Sequence, residues 1–153
     1  MLGFYLIFNL KLFRHEKTFY NKPGVFVKVK DSLSVDEIKA AVAPAEAFTV
    51  NYVGIDLTLD GFGVESVSGD AAKFAAAVSA VRAVSKRPLI LMGKDTDVLA
   101  AGLKALDGET PMICSATAAN WEAMAELAKQ YKAALVVSGE SLDELADLTE
   151  KIK

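Results

Sequence analysis

Four ionisable side chains in succession, Arg14, His15, Glu16 and Lys17, stand among aromatic residues near the start of the chain. In an extended segment successive side chains alternate, so Arg14 and Glu16 share one side and His15 and Lys17 the other. A catalytic role would use His15 as a base near neutral pH. The sequence has no second histidine and no evident nucleophile beside it. The preferred reading is therefore structural: the four charges pin an amino-terminal hairpin against the main body or a partner. Asp56 and Asp60 have the spacing that puts two carboxylates on one side of a strand, where they could hold a hard cation through oxygen. A solvated strand face accounts for them as well, and no metal site is predicted. Cys114 ends an apolar run and reads as a small buried hydrophobe; a reactive thiol would need a neighbouring base and exposure.

Composition removes several classes of function. A single cysteine excludes an intramolecular disulfide and any iron–sulfur cluster held by cysteines of this chain alone, and it suits a reducing compartment. A single histidine leaves no zinc site of the usual cysteine and histidine type. The formal charge of −3 comes with scattered rather than massed lysines and arginines, which argues against a nucleic-acid partner. Residues 1–10 are apolar but shorter than the roughly 20 residues that cross a bilayer. They also lack the preceding positive charge and the small-residue cleavage site of a signal peptide. The expectation is a cytoplasmic protein with no membrane partner.

The elements that must position any site follow from periodicity. Residues 3–13 and 25–29 read as two short strands on either side of the polar segment 14–22, with Pro23-Gly24 as punctuation. Lysines alternate with valines in the second, so it is expected to be wet on one side and to serve as a lid or hairpin strand rather than a central one. Ser34 and Glu37 form a capping box ahead of a short helix to about Val42, with Pro44 as its end. In residues 48–65 Asp56, Thr58 and Asp60 alternate with Ile55, Leu57 and Leu59, which predicts strands broken near Gly61 or Gly63. Three helices are then expected, over residues 70–85 with Asp70 near the positive end of its dipole, from Asp95 as cap, and from Thr117 as cap. They alternate with strands at residues 88–92, 111–114 and 134–137. A last helix opens on Ser141 and Glu144 and turns Leu142, Leu145, Leu148 and Ile152 inward. Gly102 falls on the inner side of its helix and is expected to allow close approach to the sheet.

Apolar strands joined through amphipathic helices signify a parallel sheet covered by helices. The chain thus divides into an amino-terminal hairpin and short helix over 1–47 and four βα units over 48–153. Its 153 residues fall short of the roughly 250 of a complete (β/α)8 barrel, so four units amount to half of one. Half a barrel leaves strand edges and an apolar face that invite another copy, another subunit or further polypeptide. From pattern alone, an open sandwich of flavodoxin type is the alternative. In a barrel the working residues lie at the carboxyl ends of the strands. Here these are Ser66 and Ser68, Gly93 with Lys94, and the cofactor-binding candidates Ser115, Thr117, Asn120, Ser138 and Gly139. Helix amino-termini behind such loops could hold a phosphate or folate, although every helix needs caps there. Contact with a cofactor carried on another domain is the reading preferred for this rim.

The run Leu12-Phe13-Arg14-His15-Glu16-Lys17-Thr18-Phe19-Tyr20, followed by Asn21-Lys22-Pro23-Gly24, resembles the large (gamma) subunit of the corrinoid iron–sulfur protein of the acetyl-CoA synthase and carbon monoxide dehydrogenase pathway. Ser68-Gly69-Asp70 with Lys73-Phe74, Pro88-Leu89-Ile90-Leu91, Ala116-Thr117 with the stretch from Asn120 to Ala128, and the ending from Leu142 to Ile152 are similar to that family too. The resemblance implies a (β/α)8 barrel flanked by a cysteine-rich domain for a four-iron cluster and by a corrinoid-binding domain. It implies a methyl carrier between methyltetrahydrofolate, through a methyltransferase, and acetyl-CoA synthase, with the family's small subunit as partner. No cluster-binding cysteines and no corrinoid domain are present in these residues. The chain is therefore expected to bind neither cofactor tightly, to lack catalysis of its own, and to represent the first half of the barrel. A self-contained phosphate- or folate-binding enzyme and a ligand-free interaction module are the alternatives.

Overall fold

A computed structural model describes residues 23–152. The strand predicted over residues 3–13 and the charged run Arg14 to Lys17 lie outside the described residues. The elements run β1 (Phe26–Lys30), α1 (Val35–Glu46), β2 (Thr49–Tyr52), β3 (Ile55–Thr58), β4 (Gly61–Glu65), α2 (Ala71–Val84), β5 (Leu89–Met92), α3 (Thr96–Ala105), β6 (Met112–Ala116), α4 (Trp121–Tyr131), β7 (Ala134–Val137) and α5 (Leu142–Ile152).

Five of the strands form one sheet in the order β1-β4-β5-β6-β7, every neighbouring pair parallel. Strands are added in chain order and always on the same side. Because parallel crossovers are right-handed, this order lays every connecting helix on one face of the sheet. Consecutive helices accordingly pack on one another, α1 on α2, α2 on α3, α3 on α4 and α4 on α5. A flavodoxin-type sandwich reverses its strand order and carries helices on both faces; the observed order does not reverse.

β1 corrects one expectation. Its lysine face is exposed as predicted, but the strand is no lid: it lies parallel to β4, with Val29 opposite Val64. With α1 it supplies a fifth strand–helix unit ahead of the four that the periodicity shows. The stretch 48–65 divides into an antiparallel β2–β3 hairpin and the parallel strand β4. Only the second belongs to the main sheet.

Strand periodicity explains the layering. The row Val29, Val64, Leu91, Ile113 and Leu135 faces the helices, and the first four are buried. Phe62, Leu89, Phe74, Val78, Leu99 and Met124 complete that core. Burying each large apolar side chain is worth about 1.5–3 kcal/mol. The next row, Lys30, Glu65, Met92, Cys114 and Val136, points the other way and is half-buried or exposed. Among the described residues, helices thus sheathe one face of the sheet and not the other.

Helix ends and faces follow the sequence closely, with three exceptions. Ser34 and Glu37 close both arms of a capping box, and the Asp70 and Asp95 carboxylates accept the first amides of α2 and α3. α1 runs through Pro44 to Glu46 instead of stopping before it. The turn beyond the proline is held by Arg87, whose guanidinium donates to the Glu46 carboxylate at 3.0 Å and to the Glu46 carbonyl at 3.3 Å. Asn120, not Thr117, precedes α4, and its side chain makes no cap bond. Leu142, expected inside, is exposed, because α5 ends the series and has a described neighbour on one flank only.

Gly102 permits a close approach as predicted, but mainly of the Phe74 ring on α2 and only secondarily of the sheet. A Cβ there would stand 2.5 Å from the Phe74 ring and 3.3 Å from Leu91. The gain of up to about 1 kcal/mol in helix propensity for Gly102→Ala is outweighed by an overpacking cost of about 1–3 kcal/mol. Urea unfolding should show Gly102→Ala less stable than the parent; an equal or higher midpoint would mean that the α2–α3 contact yields without cost.

Candidate functional site

The five parallel strands end on one rim, and the segments that leave them carry its polar groups. Asp31 follows β1, Ser66 and Ser68 follow β4, Gly93 and Lys94 follow β5, Ser115 to Asn120 close β6, and Ser138 and Gly139 follow β7. Backbone bonds fasten each strand end to the next. The Asp31 amide donates to the Glu65 carbonyl at 3.0 Å, Ser66 to Met92 at 2.8 Å, Gly93 to Cys114 at 2.8 Å and Ser138 to Ala116 at 2.8 Å. A register shift between Cys114 and Ala116 kinks the end of β6 and lifts Ser115 out of the alternation.

Asp31 is the best-anchored polar group here and one of two buried polar residues among those described, the other being Ser85. One carboxylate oxygen accepts the amides of Val67 and Ser68 at 2.8 and 3.0 Å, and the other accepts the Ser68 hydroxyl at 2.7 Å. Burial pushes this carboxyl up, but the bonds from the Ser68 hydroxyl, the Val67 and Ser68 amides and the Ser66 hydroxyl together outweigh it. The group therefore titrates below the ordinary carboxylate range. Asp31 was not among the sequence candidates. The signal was an acidic residue directly after β1, and it was lost because β1 read as a lid rather than a strand of the sheet.

The sequence candidates are brought to one rim but not to one cluster. Asn120 turns its carbonyl oxygen back to accept the Thr117 amide at 2.7 Å and the Thr117 hydroxyl at 3.0 Å, and its amide nitrogen donates to the Lys94 carbonyl at 3.2 Å. Thr117 and Asn120 thereby join the β5 and β6 loops. Ser138 and Gly139 are exposed beyond β7, with Gly139 pressed close to the first turn of α5. Cys114 is half-buried on the unsheathed face rather than sunk in the core. Asp56 and Asp60 do not converge: Asp56 accepts the Asn51 side-chain amide at 2.7 Å within the hairpin, and Asp60 accepts the Val25 amide at 2.8 Å. No group of three or more metal-ligating side chains occurs among the described residues.

At the other end of the sheet a second polar network ties elements together. Arg87 donates to the Glu46 carboxylate and to the Leu59 carbonyl, and the Ser85 hydroxyl donates to Glu46 at 2.6 Å. Arg82 reaches Glu109 at 2.6 Å. These bonds join the end of α1, the exit of the hairpin and the α2–β5 and α3–β6 loops. Their work is structural.

The family described as CO dehydrogenase/acetyl-CoA synthase delta subunit matches residues 9–153. The chain belongs to this family. Its relatives include the corrinoid/iron-sulfur protein large subunit of Moorella thermoacetica, 39% identical over 93% of this chain and 32% of that protein. The acetyl-CoA decarbonylase/synthase complex subunit gamma 1 of Methanosarcina thermophila is 39% identical over 83% of the chain and 27% of its own length. The gamma subunit of Archaeoglobus fulgidus is 33% identical over 93% and 30%. The likeness read from the motifs is thus shown, and the chain spans about a third of the length of the curated relatives it matches. No described helix is long and apolar enough to cross a membrane.

The Asp31 anchor yields a pH-dependent expectation. Its folded-state pKa is depressed, so its stabilising effect is complete above the unfolded value of about 3.9 and is lost as pH falls through the folded value. Asp31→Asn keeps one oxygen for the Val67 and Ser68 amides but puts an NH2 where the other accepted the Ser68 hydroxyl, and with the charge lost it should cost about 2 kcal/mol at pH 7. Chemical denaturation at pH 7 and again below the ordinary carboxylate pKa should show that difference shrinking. A gap of constant size would mean that the charge is not what the loop binds.

Proposed function

We propose that this chain is the leading part of the barrel domain of a corrinoid iron–sulfur methyl carrier, acting as scaffold and not as a catalyst by itself. The observation that carries this reading is the strand order, five parallel strands added in sequence on one side with all helices on one face. That is the winding of a (β/α)8 barrel, and it stands beside family membership over residues 9–153. On this reading the unsheathed row through Met92, Cys114 and Val136 is barrel interior, and β1 and β7 are the strands that further units would join.

The carrier would take a methyl group from methyltetrahydrofolate, through a methyltransferase, and deliver it to acetyl-CoA synthase, with a small subunit as partner. A corrinoid supplies the cobalt that holds the methyl group, and a four-iron cluster the electrons that restore it. The cluster does not fit this chain, whose one cysteine cannot replace a set of four thiolates. The contribution of these residues would be a firm rim at the carboxyl ends of the strands, facing a corrinoid held on another domain in the cytoplasm. The phosphate- or folate-binding alternative draws less support, because the Val67, Ser68 and Thr117 amides already donate to the chain's own side chains.

Co-expression with the part of the Moorella thermoacetica large subunit that follows the matched region tests this. The two pieces should co-purify, and the assembled pair should retain cobalamin while this chain alone does not. Two pieces that stay separate, or a pair without affinity for cobalamin, would overturn the reading.

A further inference from the structure

We infer that two copies of this chain pair through the apolar face of the β2–β3 hairpin, hairpin on hairpin about a twofold axis. The pairing of Val50 with Leu57 and Tyr52 with Ile55 sets these four side chains on one side, and Thr49, Asn51, Asp56 and Thr58 on the other. The polar side is stitched by Asn51, which donates to Asp56 and accepts the Gly54 amide at 3.2 Å. The apolar side is open, with Tyr52 70% and Ile55 64% exposed. The tip adds an independent anomaly. Val53 has φ 52° and Gly54 φ 78°, the left-handed pair of a tight two-residue turn. Asparagine, aspartate or glycine suits the first of these positions, and a β-branched residue is strained there. Val53 is also 83% exposed, so neither turn conformation nor burial accounts for an apolar side chain at this point. Exposed apolar surface held at a conformational cost marks a contact.

Three properties of the face select a second copy as its occupant. It carries no charge at neutral pH, so two copies meet without like-charge repulsion, and it lacks the charge pattern by which a surface picks out an unlike partner. It is complementary to itself. Tyr52 on β2 stands level with Ile55 on β3, and Val50 with Leu57. A twofold axis along the strands therefore lays Tyr52 of each copy over Ile55 of the other, and Val50 over Leu57, the isologous arrangement in which i meets j and j meets i. Its size is sufficient. An exposed apolar patch on a monomer is of the order of 300–600 Å², so two such faces cover about 600–1,200 Å², the lower end of specific interfaces. A two-stranded hairpin is marginal in water on its own, whereas two hairpins packed face to face enclose a core between them. The hairpin leaves the carboxyl rim clear, so this contact holds whatever that rim faces.

Sedimentation velocity of the full chain tests the contact, in reducing buffer so that Cys114 cannot cross-link two copies. An interface of this size should give a monomer–dimer equilibrium with a Kd of about 1–100 μM. Tyr52→Ser with Ile55→Ser should weaken it at least roughly tenfold, while Leu142→Ser, at an equally exposed site on α5, leaves it unchanged. Val53→Asn relieves the turn and keeps the fold, so its urea midpoint should not fall although pairing weakens several-fold; it decides the matter if the serine pair disturbs the sheet. A chain that stays monomeric up to about 100 μM would overturn the inference. So would a dimer that the hairpin variants leave intact, or one that Leu142→Ser dissolves, which would place the contact on α5.

Discussion

A parallel ladder cannot be closed by a tight turn, and the rest of this molecule depends on that constraint. Each new strand must be reached by carrying the chain back across the sheet, so each strand brings a helix, and the fixed hand of the crossover decides where that helix lies. Because successive strands here are always added on the same side, all five helices share one face. The core formed between them, centred on Phe62, Val64, Leu91 and Phe74, is correspondingly one-sided. The opposite face keeps half-buried methionines and Cys114 because none of the described crossovers reaches it. The uncovered surface is a consequence of the winding direction, and it is the same surface that a closed barrel would turn inward.

The same geometry separates the two ends of the sheet. At the carboxyl ends the loops are short and are tied by backbone bonds and by two side chains, Asp31 and Asn120, that each join one strand's loop to the next. At the amino ends the ties are longer and charged, with Arg87 and Glu46 binding the last turn of α1 to the loop before β5. The β2–β3 hairpin is inserted on this second side, between the end of α1 and the start of β4. An insertion there leaves the carboxyl rim clear.

Most of the repeating part was legible in the sequence because strands showed as short apolar runs and most helices were marked both by an apolar stripe and by an acidic or hydroxyl residue at their start. Asp70 before Phe74, Ala77, Val78 and Val81, or Asp95 before Val98, Leu99 and Leu103, left little choice about where a helix starts and which face it buries. The failures share a cause. β1 carries lysines at alternate positions because its outer face is uncovered, and such alternation has the look of a peripheral hairpin strand. Leu142 has the position of an inward residue in a helix flanked on both sides, but α5 is flanked on one. Pro44 stops an isolated helix, yet Arg87, 43 positions later in the chain, secures the turn that follows. In each case what decided the outcome was the presence or absence of a neighbour distant in sequence, and periodicity reports only on near ones.

That distance also explains why the rim was harder to read than the fold. Caps and stripes are local, whereas Asp31 acquires its role only when β1 and β4 are adjacent and the amides of Val67 and Ser68 turn toward it. The serines and threonines picked out as candidates were chosen for lying after strands, and the structure places them there. What it adds is that several are already spoken for: Ser68 by Asp31, and Thr117 by Asn120. Hydroxyls and amides engaged in this way stiffen loops instead of waiting for a ligand. A rim built from such internally satisfied groups is a fixed surface, poorly suited to enclosing a small anion on its own.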